Sequence, residues 1–112
     1  MKFLIYQSQL NQDYYFRFLN NTGRQLMQSN SYTSEKGVRK GISNFKELSE
    51  DKDNFDINDT DRGNLKFELK AKNNMTIATS VVFESKVSLR EALRYIISNA
   101  SSASLEMQRP LP

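Results

Sequence analysis

Apolar and charged residues alternate most strictly between residues 65 and 72. Leu65, Phe67, Leu69 and Ala71 fall on one side of an extended chain, and lysine or glutamate occupies each position between and after them. Because successive side chains of a strand point to opposite faces, this pattern predicts a strand with one buried and one wet side. Shorter apolar segments, separated by polar turns, predict five further strands, at 3–6, 14–18, 25–29, 55–57 and 75–80.

Two segments change from strand periodicity to helix periodicity. Ser34 is a good N-cap for the first helix. The inner stripe of this helix, at spacings i, i+4 and i+7, consists of Val38, Ile42 and Phe45. Gly37 and Gly41 each weaken a helix interior by about 1 kcal/mol, so they predict that the helix approaches a neighbouring backbone closely.

The second helix has two candidate starting points. Ser85 is one N-cap, and Ser88-Leu-Arg-Glu91 forms a competing capping box one turn later. The inner stripe in either case consists of Leu89, Leu93 and Ile96. After this helix, residues 104–108 alternate weakly before Pro110 and Pro112, which predicts either a short edge strand or a disordered end.

Residues 16–48 align without a gap on residues 67–99, at an offset of 51. The alignment pairs Phe16 with Phe67 and Ser29 with Ser80, and most other matched positions keep their apolar character. Self-similarity at a fixed period is typical of a repeated structural unit. We therefore predict one α+β domain, 1–112, made of repeat 1 (about 2–50) and repeat 2 (about 54–108). The two β-β-β-α repeats are expected to form one antiparallel sheet with both helices on one face, as pseudo-twofold halves.

Composition removes most catalytic chemistry. The 112 residues contain no cysteine and no histidine, so thiolate nucleophiles, thiolate metal sites and the commonest general base are absent. The remaining polar groups show no positional motif, and we predict that the protein is not an enzyme and has no cofactor. The apolar start is too short for a signal peptide, and no segment approaches a membrane span, which predicts a cytoplasmic location without membrane partners.

The first repeat carries a pattern known from other proteins. It consists of Phe3-Leu-Ile-Tyr6, Tyr15-Phe-Arg-Phe18, a turn ending in Gly23, Leu26, Ser29, Tyr32-Thr-Ser34 and Gly41-Ile42. The chain resembles the YegP-like family of small, mostly bacterial proteins of unknown function, over about residues 2–108. The resemblance implies tandem β-β-β-α units in one sheet with exchange of terminal strands. It implies no catalytic residues.

The second repeat departs from that pattern at three places. It has Phe83-Glu-Ser85 in place of the tyrosine, Ala92-Leu93 in place of Gly-Ile, and Asn73-Asn74 at the turn. Asparagine still accepts a left-handed backbone, so the fold is unaffected. A function that needs two equivalent copies is put in doubt.

One predicted sheet face is unusually apolar for a face exposed to solvent. Its residues alternate with the inward phenylalanines of the first repeat, and they are Leu4, Tyr6, Tyr15, Arg17 and Leu19. Aromatic and arginine side chains are favoured at protein interfaces and also stack on unpaired bases. This candidate interaction face predicts a protein contact, self-association or cover by the terminal strand. An ordinary half-exposed surface and single-stranded nucleic acid are the alternatives, and the net charge of +3 gives nucleic acid weak support.

Five aspartates between residues 51 and 61 suggest calcium at first sight. A calcium-binding loop that starts at Asp59 requires glycine at its sixth position and glutamate at its twelfth, where the chain has Asn64 and Lys70. The sequence therefore predicts solvated carboxylates and no metal site.

Overall fold

The computed structural model describes residues 1–59 and 65–108. These residues form seven strands and two α-helices, together with two short 3-10 turns. The strands are β1 (Lys2–Gln7), β2 (Tyr14–Leu19), β3 (Gln25–Ser29), β4 (Phe55–Asp59), β5 (Leu65–Lys70), β6 (Thr76–Ser80) and β7 (Ser104–Met107). The helices are α1 (Glu35–Leu48) and α2 (Lys86–Asn99). All six strands expected before α2 are present.

The seven strands form one sheet in the order β4-β5-β6-β3-β2-β1-β7. All neighbours are antiparallel except β1 and β7, which are parallel. The sheet is therefore mixed, and the expectation of a purely antiparallel sheet is wrong at this edge. Strands far apart in sequence are not joined by a hairpin, so nothing local imposes an antiparallel direction on the last strand.

The chain end pairs within the sheet as far as it is described. Strand β7 confirms the predicted edge strand, and the Gln108 amide donates to the Ile5 carbonyl at 2.7 Å. Residues 109–112 lie outside the described residues.

Both helices pack on the same face of the sheet, as predicted. Phe45 of α1 contacts Phe3, Phe16 and Phe18 at ring-centroid distances of 5.1, 5.8 and 5.9 Å. Tyr95 of α2 reaches Phe18 at 6.4 Å. Residues of both halves contribute to one buried cluster, which leaves the opposite face of the sheet without a helix in the described structure.

The helix starts follow from their serine caps. The Ser34 hydroxyl accepts from the Gly37 amide at 3.0 Å, and the Ser85 hydroxyl accepts from the Ser88 amide at 3.1 Å. The predicted cap at Ser85 is confirmed. The competing start at Ser88 is wrong, because Ser88 supplies the returning side chain of the Ser85 capping box.

The structure explains Gly41 in α1 differently from the sequence-based expectation. A Cβ atom at Gly41 would lie 2.2 Å from the hydroxyl oxygen of Tyr32 and 2.4 Å from the adjacent ring carbon. The helix thus approaches an aromatic side chain, and the expectation of a neighbouring backbone is wrong.

Candidate interaction face

Strand register brings four of the five predicted face residues together. In the β1–β2 pair, Leu4 lies opposite Arg17 and Tyr6 lies opposite Tyr15. Their neighbours in sequence, such as Phe3 and Phe16, are fully buried under the helices, so these four side chains point to the other side of the sheet. Each of the four is partly buried.

Leu19 contributes little to this face. It is only 9% exposed, and it lies where the β2–β3 register shifts, so that Leu19 pairs with Gln25 and Phe18 pairs with Met27. An extra β3 residue, Leu26, stands between those two pairs, as in a β-bulge. The prediction of Leu19 as an accessible face residue is not supported by its burial.

Arginine and tyrosine side chains form one stack on the face. The Tyr6 and Tyr15 rings are stacked, with centroids 5.5 Å apart and planes 16° from parallel. The Arg17 guanidinium carbon lies 4.5 Å from the centroid of the Tyr6 ring, which is cation–π distance. We call Tyr6, Tyr15 and Arg17 the aromatic–arginine stack. The Tyr15 hydroxyl also accepts from the Asn11 side-chain amide at 3.0 Å, which fixes its outer end.

Arg17 has an unsatisfied donor. Its Nε is buried and has no hydrogen-bond partner within the described part of the chain, and no carboxylate there lies within ion-pair distance of its guanidinium. A buried donor without a partner costs free energy, and native proteins satisfy most such groups. The aromatic rings therefore hold the stack, and the Arg17 guanidinium has no ion-pair partner among the described residues.

The same face becomes polar and then charged across the sheet. Cross-strand registers place one residue of each strand in a single row, and from the β4 edge to the β7 edge this row reads Asp56, Glu68, Thr79, Gln28, Arg17, Leu4 and Glu106. The Glu68 carboxylate accepts from the Thr76 hydroxyl at 3.1 Å and from the Asn58 amide at 3.4 Å. Lys70 lies 3.9 Å from Glu68. The part of the face on β1 and β2 is thus largely aromatic and apolar, whereas the part on β4 and β5 is charged.

The terminal strand lies beside β1 and leaves the stack uncovered. Ser104 to Met107 extend the sheet within its own plane, and Lys2 pairs with Glu106 at that edge. Cover by the terminal strand, one of the sequence-based expectations, is therefore wrong for the residues that the structure describes.

A cleft on the helix side was missed by sequence reasoning. It has a volume of about 450 Å³ and lies between the β2–β3 turn and α2, with Arg24, Glu84 and Glu91 in its wall. Tyr95 also lines it, and its buried hydroxyl finds no hydrogen-bond partner among the described residues. Tyr95 lies in α2 directly before Ile96 of the apolar stripe, and its spacing is not distinctive. No signal in the sequence therefore marks it. One arginine and two glutamates in a shallow wall do not define a ligand class.

The aspartate-rich connection is only partly described. The Asp59 carboxylate lies 3.8 Å from the Lys86 ammonium group. Residues 60–64 of the rejected calcium loop lie outside the described residues. Within 1–59 and 65–108 no group of three metal-ligating side chains comes together.

Comparisons with known proteins find similar sequences of unknown function. The profile of a domain of unknown function (DUF1508) matches residues 61–106. A UPF0339 protein of Photorhabdus laumondii is 28% identical over 95 residues, which covers 85% of this chain and 83% of the relative. The chain is similar to the YegP-like UPF0339 proteins, which are of unknown function.

Solved structures of YegP-like proteins show the same fold. The solution structure of the protein yegP of E. coli superposes with a TM-score of 0.89 at 21% identity, over 99% of this chain and 95% of that one. A UPF0339 protein of Shewanella oneidensis gives a TM-score of 0.88 at 20% identity, over 95% and 89% of the two chains. The α+β fold, with a seven-stranded mixed sheet and two helices, is thereby supported.

The similarity to YegP-like proteins assigns no activity, because those proteins are of unknown function. Neither helix within the described residues is long and apolar enough to cross a membrane. What this chain recognises must be argued from its own surface.

Proposed function

We propose that this chain is a small non-catalytic interaction module whose recognition surface is the outer face of β1 and β2. The aromatic–arginine stack carries the proposal, since it is an assembled group on a face that no described helix or strand covers. Tyrosine and arginine are enriched at the energetic centres of protein interfaces. Partly buried rings that are already fixed lose little conformational entropy on binding.

The stack suits a protein partner better than unpaired bases. One face of the Tyr6 ring meets Tyr15 and the Arg17 guanidinium meets the same ring, so Tyr6 has little free ring surface on which a base could stack. Arg17 is the one cation in its cross-strand row, which also carries the carboxylates of Asp56, Glu68 and Glu106, so the row attracts phosphate weakly. Single-stranded nucleic acid is the weaker candidate, and steeply salt-dependent binding would reveal it.

The proposal includes the architecture that holds this face. We infer that the two β-β-β-α halves are pseudo-twofold copies that fold as one domain. Phe16 and Phe67 each donate a backbone amide to a serine hydroxyl at 2.9 Å, from Ser29 and Ser80. This equivalence at matched positions supports a repeated unit. Only the first half carries the aromatic residues on its outer face, so the aromatic–arginine stack belongs to that half alone.

The test is a double substitution in the stack. Tyr15→Ser with Arg17→Ser should abolish binding to the cellular partner or self-association, measured by affinity capture and by sedimentation. Folding stability should fall by only about 1 to 2 kcal/mol, because a cation–π contact and a ring pair are each worth about 1 kcal/mol. The matched control, Lys36→Ser with Lys40→Ser on the exposed side of α1, should retain both binding properties. Loss of several kcal/mol with unchanged partners and assembly would contradict the proposal.

A further inference from the structure

Arg17 and Glu68 occupy matching places on the two halves of the outer face. Arg17 lies opposite Gln28, Gln28 opposite Thr79, and Thr79 opposite Glu68, so the cation and the carboxylate stand at the same level along the strands. Three strand spacings of about 4.8 Å separate them by about 14 Å within one chain. They are too far apart to pair with each other there.

A twofold axis can bring them together between two chains. The β3–β6 pair is flanked by β2 on one side and by β5 on the other. If a second copy is rotated by 180° about an axis that runs along the strands at the β3–β6 seam, its face meets the first face with β2 over β5. Because Arg17 and Glu68 share a level, each arginine then faces the glutamate of the other copy, twice in the assembly.

One further contact in this arrangement, formed twice by symmetry, is complementary. Strands β2 and β5 run in opposite directions, so Tyr15, two residues before Arg17, shares a level with Lys70, two residues after Glu68. The rotation places the Tyr15 ring over Lys70 of the other copy, which favours a cation–π contact.

The area of the face agrees with a weak, specific contact. Six strands of each copy overlap, because β7 lies beyond β4 of the other copy. Six strands span about 24 Å and a strand of six residues about 20 Å, so the two faces bury about 1,000 Å² together. That value is close to the smallest area of a biological interface and is typical of weak, transient contacts. Twisted sheets pack face to face at about 30° and about 10 Å, close enough for arginine and glutamate side chains to meet.

We propose that the outer face binds the same face of a second copy of this chain, with Arg17 paired to Glu68 across a twofold interface. This inference rests on the proposed function and names its partner. The Arg17 guanidinium, which has no ion-pair partner among the described residues, then gains a carboxylate. The Glu68 carboxylate is already oriented by Thr76 and Asn58, which lowers the entropic cost of the pair.

Charge exchange between two variants tests the geometry. Arg17→Glu places two like-charged glutamate pairs in the interface, and Glu68→Arg places two arginine pairs there. Each variant alone should dimerise at least about tenfold more weakly than the unmodified protein, because like charges in contact suppress association. An equimolar mixture should form mixed dimers with nearly the original dissociation constant, since both pairs are then complementary. Sedimentation velocity over a range of concentrations measures all three samples.

Matched controls separate interface charge from net charge and from folding. Lys36→Glu and Glu47→Arg make similar charge changes at exposed sites on α1 and should leave dimerisation unchanged. Thermal melts should show that both interface variants remain folded. If the unmodified protein is monomeric throughout, or if folded variants fail to recover in the mixture, this inference is overturned. The proposed function is retained after that result if the Tyr15→Ser, Arg17→Ser variant no longer captures a different protein that the unmodified protein captures. It fails if the variant captures every partner that the unmodified protein captures.

Discussion

Tyr32 and Gly41 are matched in size within the first half, and Phe83 and Ala92 stand at the corresponding positions of the second. The Tyr32 hydroxyl occupies the space that a Cβ atom at residue 41 would need. The second half lacks that hydroxyl and carries an alanine on the helix. The larger aromatic residue thus accompanies the smaller helix residue, and this is a physical reason for a glycine inside α1.

Gly41→Ala should therefore destabilise the protein, although alanine is the better helix former. The 2.2 Å approach to the Tyr32 oxygen forces the ring to move, at a typical cost of about 1 to 3 kcal/mol for overpacking. The higher helix propensity of alanine offsets about 1 kcal/mol of that destabilisation. Urea unfolding measures the difference. Adding Tyr32→Phe to the variant should restore part of the stability, because it recreates the pairing of the second half.

Gly37 provides the matched control for this prediction. A Cβ atom there would meet the Ser34 hydroxyl at 3.1 Å, a contact that a small shift relieves. Gly37→Ala should cost less than Gly41→Ala or even stabilise α1. Equal stability of Gly41→Ala and the unmodified protein would refute the size-matching argument.

Tyr32 also predicts a dependence on alkaline pH. Burial raises the pKa of the Tyr32 hydroxyl above its ordinary value of 10.0, because desolvation disfavours the phenolate. The unfolded chain therefore loses this proton at a lower pH than the folded chain does. The resulting stability is fully present below pH 10 and is lost as the pH rises from 10 through the folded pKa.

Urea unfolding of the protein and of Tyr32→Phe on both sides of pH 10 measures this contribution. The unmodified protein should lose more stability than the variant over the alkaline range, since both share every other titrating group. Parallel losses in the two proteins would show that Tyr32 does not titrate differently in the folded state.

At the scale of elements, the sequence predicted the features that follow from hydrophobic periodicity. The strict alternation at 65–72 and the helical stripes of α1 and α2 record which side of each element is buried, so those elements and the common helix face could be predicted. The parallel pairing of β7 could not. Four mostly exposed residues, 104–107, carry almost no burial pattern, and their partner strand is set by tertiary structure.

The candidate face was predictable to the same extent. Alternation placed Leu4, Tyr6, Tyr15 and Arg17 on one side, because side-chain period follows from the backbone alone. The stack itself depends on the cross-strand register between β1 and β2, and the burial of Leu19 was not signalled by alternation. Both properties arise from pairing between strands, which a single sequence does not display.

Serine at the end of β3 and of β6 completes the strand pairing in each half. Ser29 accepts from the buried Phe16 amide at 2.9 Å and donates to the Asn30 carbonyl at 2.8 Å, and Ser80 makes the same contacts with Phe67 and Val81. Ser29→Ala and Ser80→Ala should each cost about 1 to 3 kcal/mol, because each leaves a buried amide without an acceptor. Chemical denaturation of both variants measures the loss. Ser31→Ala, at an exposed position, should change stability by less than about 0.5 kcal/mol. A loss in only one of the two serine variants would show that the halves are not equivalent here.

At the scale of the whole molecule, the seam between β3 and β6 joins two halves that share one buried cluster. Residues 1–50 alone keep β1, β2, β3 and α1, but they lose β6 beside β3 and β7 beside β1. About 50 residues bury too little apolar surface for independent stability. This fragment should therefore be unfolded by circular dichroism and show no cooperative melt. Mixing it with residues 51–112, a cut between two exposed residues, should restore a cooperative transition, because the seam then reforms. A fragment 1–50 that melts cooperatively alone would mean that the halves are independent domains, and the inference of one shared fold would fail.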